Sequence, residues 1–236
     1  MPGFLTPRRR YETELLDAHS DDEALVLRTL EDIERSNIVF QGARAAVSEL
    51  RQYHAQLPER ATLLDVGTGM GDVAAAAARA ALADGLRLDT IGLDLAVVLS
   101  RRATNSVTLS VCGSGLQLPF ADASVDLVMC SQTLHHFRGE EETLLLREMN
   151  RVARVAVVVS DLRRSWIAAG GFWAASFPLR FHPVTRHDGM LSVLRGYTPC
   201  ELADAVETAV GVKPLVNSRI GFRLTTSWSP VKRMVA

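Results

Sequence analysis

Short apolar runs alternate with amphipathic segments over the middle of the chain, from about residue 60 to residue 160. The runs are rich in β-branched residues and nearly continuous, which is typical of parallel strands buried on both faces. The segments between them carry apolar residues at helical spacing. Strands that alternate with helices predict an α/β fold with a doubly wound, mostly parallel sheet. We place strands at residues 63–66, 88–93, 107–111, 125–130 and 155–159, with two more at residues 213–217 and 222–227.

Helices are predicted before the first strand. Residues 21–35 place apolar side chains on one helical stripe behind an aspartate cap at position 21 or 22. Residues 41–56 form a second helix, and the polar residues 1–20 are interpreted as a loose, solvated arm. The expected boundaries are an N-terminal arm and helices over residues 1–57 and the main domain over residues 58–236.

Residues 160–198 interrupt the alternation of strands and helices. This stretch follows the fifth strand, at the end of a parallel sheet where ligands bind in such folds. We interpret it as a helical lid insertion over a substrate, and the alternative is an insertion whose aromatic side chains fill only a small satellite core. Its aromatic residues are Trp166, Phe172, Trp173, Phe177 and Phe181, and its polar cluster is His182 and Arg186-His187-Asp188-Gly189.

The composition limits the classes of function. A chain of 236 residues, of which 47% are apolar, is long enough for one large domain or for one domain and a subdomain. The formal net charge of −1 creates no field that attracts nucleic acid, so we expect no nucleic-acid partner. No run reaches the ~20 apolar residues of a membrane span, and the N-terminal arginines precede no apolar segment of a secretory signal. A cytoplasmic protein is therefore expected, with its oligomeric state left open.

The three cysteines form neither a disulfide framework nor a zinc-binding spacing, so no metal site is predicted. Cys112 and Cys130 lie in apolar runs. We expect both to be buried thiols in a reducing compartment.

A glycine-rich turn follows the first strand, with the sequence Gly67-Thr68-Gly69-Met70-Gly71. A strand that turns tightly into a helix exposes backbone N–H groups, and the missing side chains let a ligand approach the main chain. The spacing differs from the dinucleotide-binding GxGxxG pattern, because Asp72 stands where the third glycine would be. Asp65 before the turn and Asp72 after it favour a ligand with a cationic end over a pyrophosphate.

A second acidic residue, Asp94, ends the second strand. A carboxylate at that place can accept both hydroxyl protons of a ribose. The neighbouring Leu95 could pack on the face of an adenine. Asp94 alone would be a weak signal, since acids often cap helices, but the upstream glycine turn strengthens it.

The sequence from Asp65 to Asp72 resembles the first motif of class I S-adenosylmethionine-dependent methyltransferases, and the similarity covers about residues 60–160. The resemblance implies a Rossmann-like, seven-stranded sheet closed by an antiparallel hairpin, and S-adenosyl-L-methionine as cofactor. Gly67, Gly69 and Gly71 would then hold the methionine end of the cofactor, Asp65 would orient it, and Asp94 would hold the ribose.

The segment Gly113-Ser114-Gly115-Leu116 resembles the family's motif after the third strand. An aspartate commonly takes a hydrogen bond from the adenine amino group there, and this chain has Ser114 instead. A serine oxygen can accept the same bond without charge assistance. The resemblance assigns Ser114 and Gly115 to the cofactor site, and a backbone N–H near Leu116 could share the adenine contact.

The fourth strand leads into Thr133-Leu134-His135-His136-Phe137. Enzymes that methylate amino groups of bases carry an Asn/Asp-Pro-Pro-aromatic tetrad there, which this chain lacks. The His-His-Phe ending resembles the small-molecule branch, which includes quinone-ring and polyketide enzymes, and the Arg186 to Gly189 run resembles bacterial enzymes that act on polyketides or phenolic lipids.

Histidine is the side chain best matched to take a proton from a phenol or enol at neutral pH. His135 and His136 are the leading candidates for a catalytic base, and the alternative is that they only shape the pocket. His182 and His187 are further candidates for the base, and the alternative is that each only caps a helix or lies on the surface.

These inferences predict methyl transfer to a small, largely apolar acceptor that is phenolic or polyketide-like, at oxygen rather than at carbon. One alternative keeps the cofactor but makes the acceptor a protein carboxylate or an RNA ribose. Another alternative is a non-catalytic module that binds S-adenosylmethionine.

Overall fold

A seven-stranded sheet forms the centre of the computed structural model, which describes residues 5–15 and 22–231. The strand order is β3-β2-β1-β4-β5-β7-β6, and β7 is antiparallel to both of its neighbours, whereas β1 to β5 are parallel. The predicted doubly wound, mostly parallel sheet with a closing hairpin is confirmed. The strands are β1 (Arg60–Val66), β2 (Arg87–Asp94), β3 (Leu109–Cys112), β4 (Val125–Ser131), β5 (Ala153–Leu162), β6 (Val216–Arg219) and β7 (Arg223–Trp228).

Within the described residues, eight α-helices surround the sheet. They are α1 (Glu23–Val39), α2 (Gly42–Leu50), α3 (Asp72–Ala83), α4 (Val97–Ala103), α5 (Glu140–Val152), α6 (Trp166–Ser176), α7 (Pro183–Arg195) and α8 (Pro199–Val210). Two short 3-10 helices lie at Arg51–Gln56 and Leu134–His136. In the ranges that the structure describes, no helix combines the length and the apolar character needed to cross a bilayer.

Helices cover both faces of the sheet, and each face has its own core. On one face the apolar stripes of α5 and α8 pack on β4 and β5, with Leu145, Met149 and Leu202 fully buried. On the other face α2 and α3 pack on β1 and β4, through small residues such as Ala46 and Ala77. Strands buried on both faces explain why the apolar runs in the sequence are nearly continuous.

Several element boundaries differ from the prediction, among them the start of β3 and the end of the second N-terminal helix. Strand β3 begins only at Leu109, because Val107 packs with Ala74 and Ala103 of the adjacent helices and its N–H donates to Ala103 O. The second N-terminal helix is α-helical only to Leu50 and continues as a 3-10 turn.

The N-terminal cap falls on the second of the two candidate aspartates. Asp22 accepts a hydrogen bond from Leu25 N at 3.0 Å, and α1 begins at Glu23. The other candidate, residue 21, lies outside the described residues.

The described part of the N-terminal arm is ordered against the rest of the chain, so the interpretation as a loose arm is wrong there. Arg10 N donates to Leu194 O at 3.1 Å, and Trp166 N donates to Leu5 O at 3.0 Å. The guanidinium of Arg9 lies 4.0 Å from the centre of the Tyr197 ring and pairs with Glu142. Residues 5–15 therefore contact both helices of the segment predicted as a lid.

Helices α6 and α7 make up most of the segment predicted as a lid. Phe172 of α6 packs against Phe40 and Phe181, with each pair of ring centres 5.9 Å apart. A small separate core between α6 and α7 contains Ala169 and Leu194. Its members are aliphatic, so it differs from the aromatic satellite core considered as the alternative.

The cysteines divide between core and edge. Cys130 is fully buried in β4, as expected, and burial raises the pKa of its thiol well above the ordinary value. Cys112 is exposed, so that prediction is wrong. It ends β3, an edge strand of the sheet, which has a neighbouring strand on one side only.

Candidate active site

The glycine turn between β1 and α3 has a left-handed backbone at all three glycines. The φ angles are 74° at Gly67, 55° at Gly69 and 77° at Gly71, a region that favours glycine. A Cβ on Gly67 would lie 2.4 Å from the Thr133 side chain, whereas a Cβ on Gly69 would meet nothing within 4 Å. The turn is therefore packed tightly against the end of β4 at Gly67 and open at Gly69.

The backbone N–H groups of these three glycines all donate hydrogen bonds, two of them to the end of β2 and one within the turn. Their acceptors are, in chain order, Leu93 O at 2.8 Å, a carboxylate oxygen of Asp94 at 3.0 Å and Thr68 O at 2.9 Å. The expectation that the glycines expose free N–H groups is thus not met. What the turn offers a ligand is close access to the main chain around Gly69.

Gly71 has a different role from the other two glycines. A Cβ at this position would lie 2.9 Å from Ser106 and 3.0 Å from Val107. The segment that leads into β3 therefore packs directly on Gly71, and packing alone accounts for this glycine.

Asp94 links the turn to the end of β2. Its two carboxylate oxygens accept the N–H groups of Gly69 and Ala96, each at 3.0 Å. Burial raises the pKa of Asp94, although the backbone hydrogen bonds act in the opposite direction. Each oxygen retains a second lone pair, which leaves the carboxylate able to accept hydroxyl protons. Leu95 next to it is 73% exposed and presents an open apolar surface.

Asp65 is a buried carboxylate with one oxygen unsatisfied. Thr68 donates to one of its oxygens at 2.9 Å, and within the described residues the other oxygen has no hydrogen-bond partner. Burial, assisted by the nearby charges of Asp72 and Asp94, raises the pKa of Asp65 to about 7. A cluster of acids with an unsatisfied buried oxygen fits a cationic ligand.

The loop after β3 contributes Ser114 and Gly115. The Ser114 hydroxyl accepts a hydrogen bond from Leu116 N at 3.2 Å, so that N–H already has a partner within the loop. A Cβ on Gly115 would lie 2.9 Å from Leu145 and 3.0 Å from Val66, so only glycine lets the loop close over the end of β1.

A cavity of about 740 Å³ collects the predicted cofactor residues, except Gly71. It lies at the carboxyl ends of β1, β2 and β4, where ligands bind in doubly wound sheets. The predicted residues that line it are Asp65, Gly67, Gly69, Asp94, Leu95, Ser114 and Gly115.

His135 is buried and paired with a carboxylate that the sequence analysis did not single out. Its Nδ1 lies 2.7 Å from Asp161 Oδ1, and its backbone N donates to Asp161 Oδ2 at 3.1 Å. Burial by itself raises the pKa of Asp161, but the interactions with His135 and the backbone N–H of Leu162 outweigh burial and lower that pKa. Because an ionised Asp161 only accepts hydrogen bonds, Nδ1 of His135 carries a hydrogen, and in the neutral form of the ring Nε2 then keeps a lone pair. Within the described residues Nε2 has no partner.

A second cavity of about 270 Å³ lies beneath α6 and α7. His135 lines it together with mostly apolar side chains such as Ile33, Phe172 and Val193. Ile33, Gln132 and His136 line both cavities, so these three residues mark the place where the two spaces meet.

The pKa of the His136 ring lies well below its ordinary value, first through loss of hydration and then through the neighbours His135 and Arg195. A ring with such a low pKa stays neutral at physiological pH. His136 is therefore suited to shape the junction rather than to take up a proton.

The two other candidate histidines have local structural roles. His182 is the N-terminal cap of α7, and its Nδ1 accepts a hydrogen bond from Val184 N at 3.3 Å. The side chain of His187 is half exposed, with Nδ1 2.9 Å from a carboxylate oxygen of Asp188. The capping and surface roles considered for them describe what the structure shows.

Sequence reasoning missed four residues that line the second cavity or support it: Glu14, Gln132, Asp161 and Arg223. Glu14, His135 and His136 bring potential metal ligands within 4.8 Å of one another. Glu14 already pairs with Arg195 at 3.2 Å and accepts a hydrogen bond from Ser192 at 2.7 Å. The positive charge of Arg195 at this place opposes a bound cation.

Part of the chain is similar in sequence to known proteins. Residues 64–158 match a family described as "Methyltransferase domain". A demethylmenaquinone methyltransferase of Roseiflexus sp. (strain RS-1) is 33% identical over 124 residues, which are 49% of this chain and 50% of that protein. The chain thus spans about half the length of this curated relative.

Solved structures show the same fold at low sequence identity. A SAM-dependent methyltransferase from Aquifex aeolicus is 14% identical with a TM-score of 0.59, over 89% of this chain and 99% of that chain. Human N-acetylserotonin methyltransferase in complex with SAM is 14% identical with a TM-score of 0.64, over 94% of this chain and 62% of that chain. Residues 64–158 thus match a methyltransferase domain, and the solved structures show that the chain has the fold of S-adenosylmethionine-dependent methyltransferases.

Proposed function

We propose that this protein transfers the methyl group of S-adenosyl-L-methionine to an oxygen of a small, largely apolar acceptor that is phenolic or polyketide-like. The observation that supports the proposal is the meeting of two cavities at Ile33, Gln132 and His136. One cavity contains the glycine turn and the acids of the cofactor motif. The other is apolar and closed by helices, as a site for a small organic acceptor requires.

The larger cavity has the groups that a sulfonium nucleoside needs. Gly69 gives access to the main chain, and Asp94 offers oxygens to the ribose hydroxyls. Asp65, with its pKa raised to about 7, would ionise beside the cationic sulfur. When bound there, S-adenosylmethionine supplies an activated methyl group on a positively charged sulfur. Leu95 and Ser114 line the part of the same cavity that is left for the adenine.

The smaller cavity has a base in position. His135 Nε2 is free to take the proton of an acceptor hydroxyl, while Asp161 fixes the ring by its hydrogen bond to Nδ1 and balances the positive charge that forms. A base of this kind raises the electron density on oxygen and so makes the oxygen a better nucleophile towards the methyl group. The apolar walls keep water away from the reacting oxygen.

The curated relative supports a small ring-containing acceptor, since its name gives demethylmenaquinone as what it methylates. The cavity beneath α6 and α7 has the size for one or two aromatic rings, at about 270 Å³. An acceptor presented by a large RNA or a folded protein would have to enter this covered space.

Transfer of a labelled methyl group tests the proposal. The purified protein is incubated with methyl-labelled S-adenosylmethionine and a cell extract, which is then separated into small-molecule, protein and RNA fractions. Label in the small-molecule fraction, attached to oxygen in the isolated product, is expected. Asp161→Asn should reduce that label strongly, and the exposed Asp204→Asn should not.

Each alternative predicts a different result in the same experiment. Label in the protein or the RNA fraction would contradict a small acceptor and support a carboxylate or ribose acceptor. Binding of S-adenosylhomocysteine without label in any fraction would support a non-catalytic binding module.

A further inference from the structure

A single arginine contributes a cationic side chain to the floor of the apolar cavity. Arg223 begins β7, lines the cavity and is only 3% exposed. Among the described residues it forms no ion pair, although a buried charge ordinarily has a partner. Its Nε is buried and has no hydrogen-bond partner within the same residues.

Neighbouring amides hold the guanidinium in place. One terminal nitrogen, Nη1, donates to Gln132 Oε1 at 2.5 Å, and Gln132 in turn donates to Asn37 Oδ1 at 2.5 Å. Gln132 has a left-handed backbone with φ of 55°, which is uncommon for a residue other than glycine. Gln132 lines both cavities, so the amide that orients Arg223 lies on their shared wall.

The electrostatics leave Arg223 charged but poorly compensated. Burial lowers its pKa to about 10, and the opposing influence comes from Asp161. Asp161 is already engaged by His135 and by the N–H of Leu162. A guanidinium with a pKa near that value remains protonated at neutral pH. In the part of the chain that the structure describes, two carboxylates line the same cavity, but Glu14 pairs with Arg195 and Asp188 lies beside His187, so no ion pair joins either of them to Arg223.

We propose that Arg223 binds an oxyanion of the methyl acceptor, either a carboxylate or an ionised phenol or enol oxygen. This inference rests on the proposed function, because it assigns the acceptor to the cavity beneath α6 and α7. With Nη1 held by Gln132, the edge formed by Nε and the other terminal nitrogen stays available as a two-pronged donor. That edge matches the geometry of a carboxylate, and a single anionic oxygen can use the same donors.

Ring-matched probes test this assignment on the protein saturated with S-adenosylhomocysteine. The probes are 2-naphthoate, which carries a carboxylate, and 2-naphthamide, which is its neutral counterpart. Calorimetry should show that naphthoate binds roughly tenfold or more tightly than naphthamide. Arg223→Gln should abolish this preference, and Arg223→Lys should retain part of it. Arg163→Gln is the matched control, because Arg163 lies on the adjacent strand segment with an exposed side chain.

A third probe separates the two sources of the oxyanion. The absorbance of 4-nitrophenol reports how much of it is ionised when bound. Binding to the wild-type protein should increase the phenolate band, and binding to Arg223→Gln should not. A naphthoate preference without this spectral change would assign Arg223 to a carboxylate, and the spectral change without a naphthoate preference would assign it to the phenol or enol oxygen.

The proposal would be overturned if naphthoate bound no more tightly than naphthamide and the nitrophenol spectrum did not depend on Arg223. If the Arg223→Gln protein unfolded, equal losses of both naphthalene probes in Arg223→Lys would also contradict the proposal. Failure of the proposed function would be recognised separately in the experiment with labelled S-adenosylmethionine, by label in the protein or RNA fraction or by label in no fraction.

Discussion

Single residues carry the electrostatic character of the larger cavity, and Asp65 is the clearest case. Its pKa of about 7 means that the folded protein holds a proton that the unfolded chain has already released. The free energy of unfolding therefore falls as the pH rises from about 4 towards 7, by at most about 4 kcal/mol from this group. A cationic ligand bound beside Asp65 would stabilise its ionised form and so raise the free energy of unfolding again.

Asp65→Asn should stabilise the protein without ligand. The amide cannot ionise but can still accept the Thr68 hydrogen bond, so the gain in melting temperature should be larger at pH 8 than at pH 5. The same variant should bind S-adenosylhomocysteine more weakly. Thermal unfolding at the two pH values checks this, with Asp89→Asn as control, and an equal shift at both would show that Asp65 does not titrate in this range.

Asp161 acts through His135, and Asp161→Asn should reveal that role. We expect the turnover number for a weakly acidic phenol to fall by roughly 10²-fold or more, since the base loses its ionised partner. A phenol that is already ionised at the assay pH needs no base and should retain most of its turnover. Equal losses for both acceptors would indicate a merely structural role.

The sequence predicts the residues of the cofactor cavity much better than those of the acceptor cavity. Asp65 and the glycines are adjacent in the chain, and Asp94 follows at the end of the next strand, so a short pattern reveals them. Asp161 and Arg223 reach the acceptor cavity from two strands that are antiparallel neighbours far apart in sequence. No local spacing marks such a pairing.

At the scale of elements, the packing of α6 on α7 forms the roof of the acceptor cavity. Gly189 of α7 allows the ring of Phe172 to approach, because a Cβ at that position would lie 2.2 Å from the ring. Phe172 itself lines the cavity. The shape of the roof therefore depends on a glycine at position 189, where any side chain would collide with Phe172.

Gly189→Val should displace Phe172 and reduce kcat/KM for the acceptor by about tenfold or more, because small misplacements near the reacting atoms are costly. The affinity for S-adenosylhomocysteine should stay nearly unchanged, since the larger cavity lies elsewhere. Gly170→Ala is the control in the same pair of helices, because a Cβ there meets nothing within 4 Å. Steady-state kinetics measures kcat/KM for the acceptor, and calorimetry measures the affinity for S-adenosylhomocysteine. A fall in both quantities together would contradict this role of the roof.

Periodicity predicted the strands and helices well because each is a local pattern, but it failed for the N-terminal arm. Residues 5–15 are polar, and their order comes from backbone hydrogen bonds to Leu194 and Trp166 and from the stacking of Arg9 on Tyr197. Such contacts depend on the tertiary fold. The same arm brings Glu14 to the acceptor cavity, which its sequence does not indicate.

For the whole molecule, the strand order explains why the two cavities meet. Strand β4 lies between β1, which leads into the glycine turn, and β5, which ends in Asp161 and Leu162. The residues that follow β4, from Gln132 to His136, therefore stand between cofactor and acceptor. A family resemblance over residues 60–160 implies the first half of this arrangement, and the second half depends on the chain after it.

Calorimetric titration with S-adenosylhomocysteine tests the central claim most directly. The wild-type protein should bind one equivalent, Asp94→Ala should bind more weakly by about 1–3 kcal/mol, and Asp89→Ala at the other end of the same strand should bind like the wild type. No binding to the folded wild-type protein, or equal affinity in the Asp94 variant, would contradict the assignment of this cavity to the cofactor.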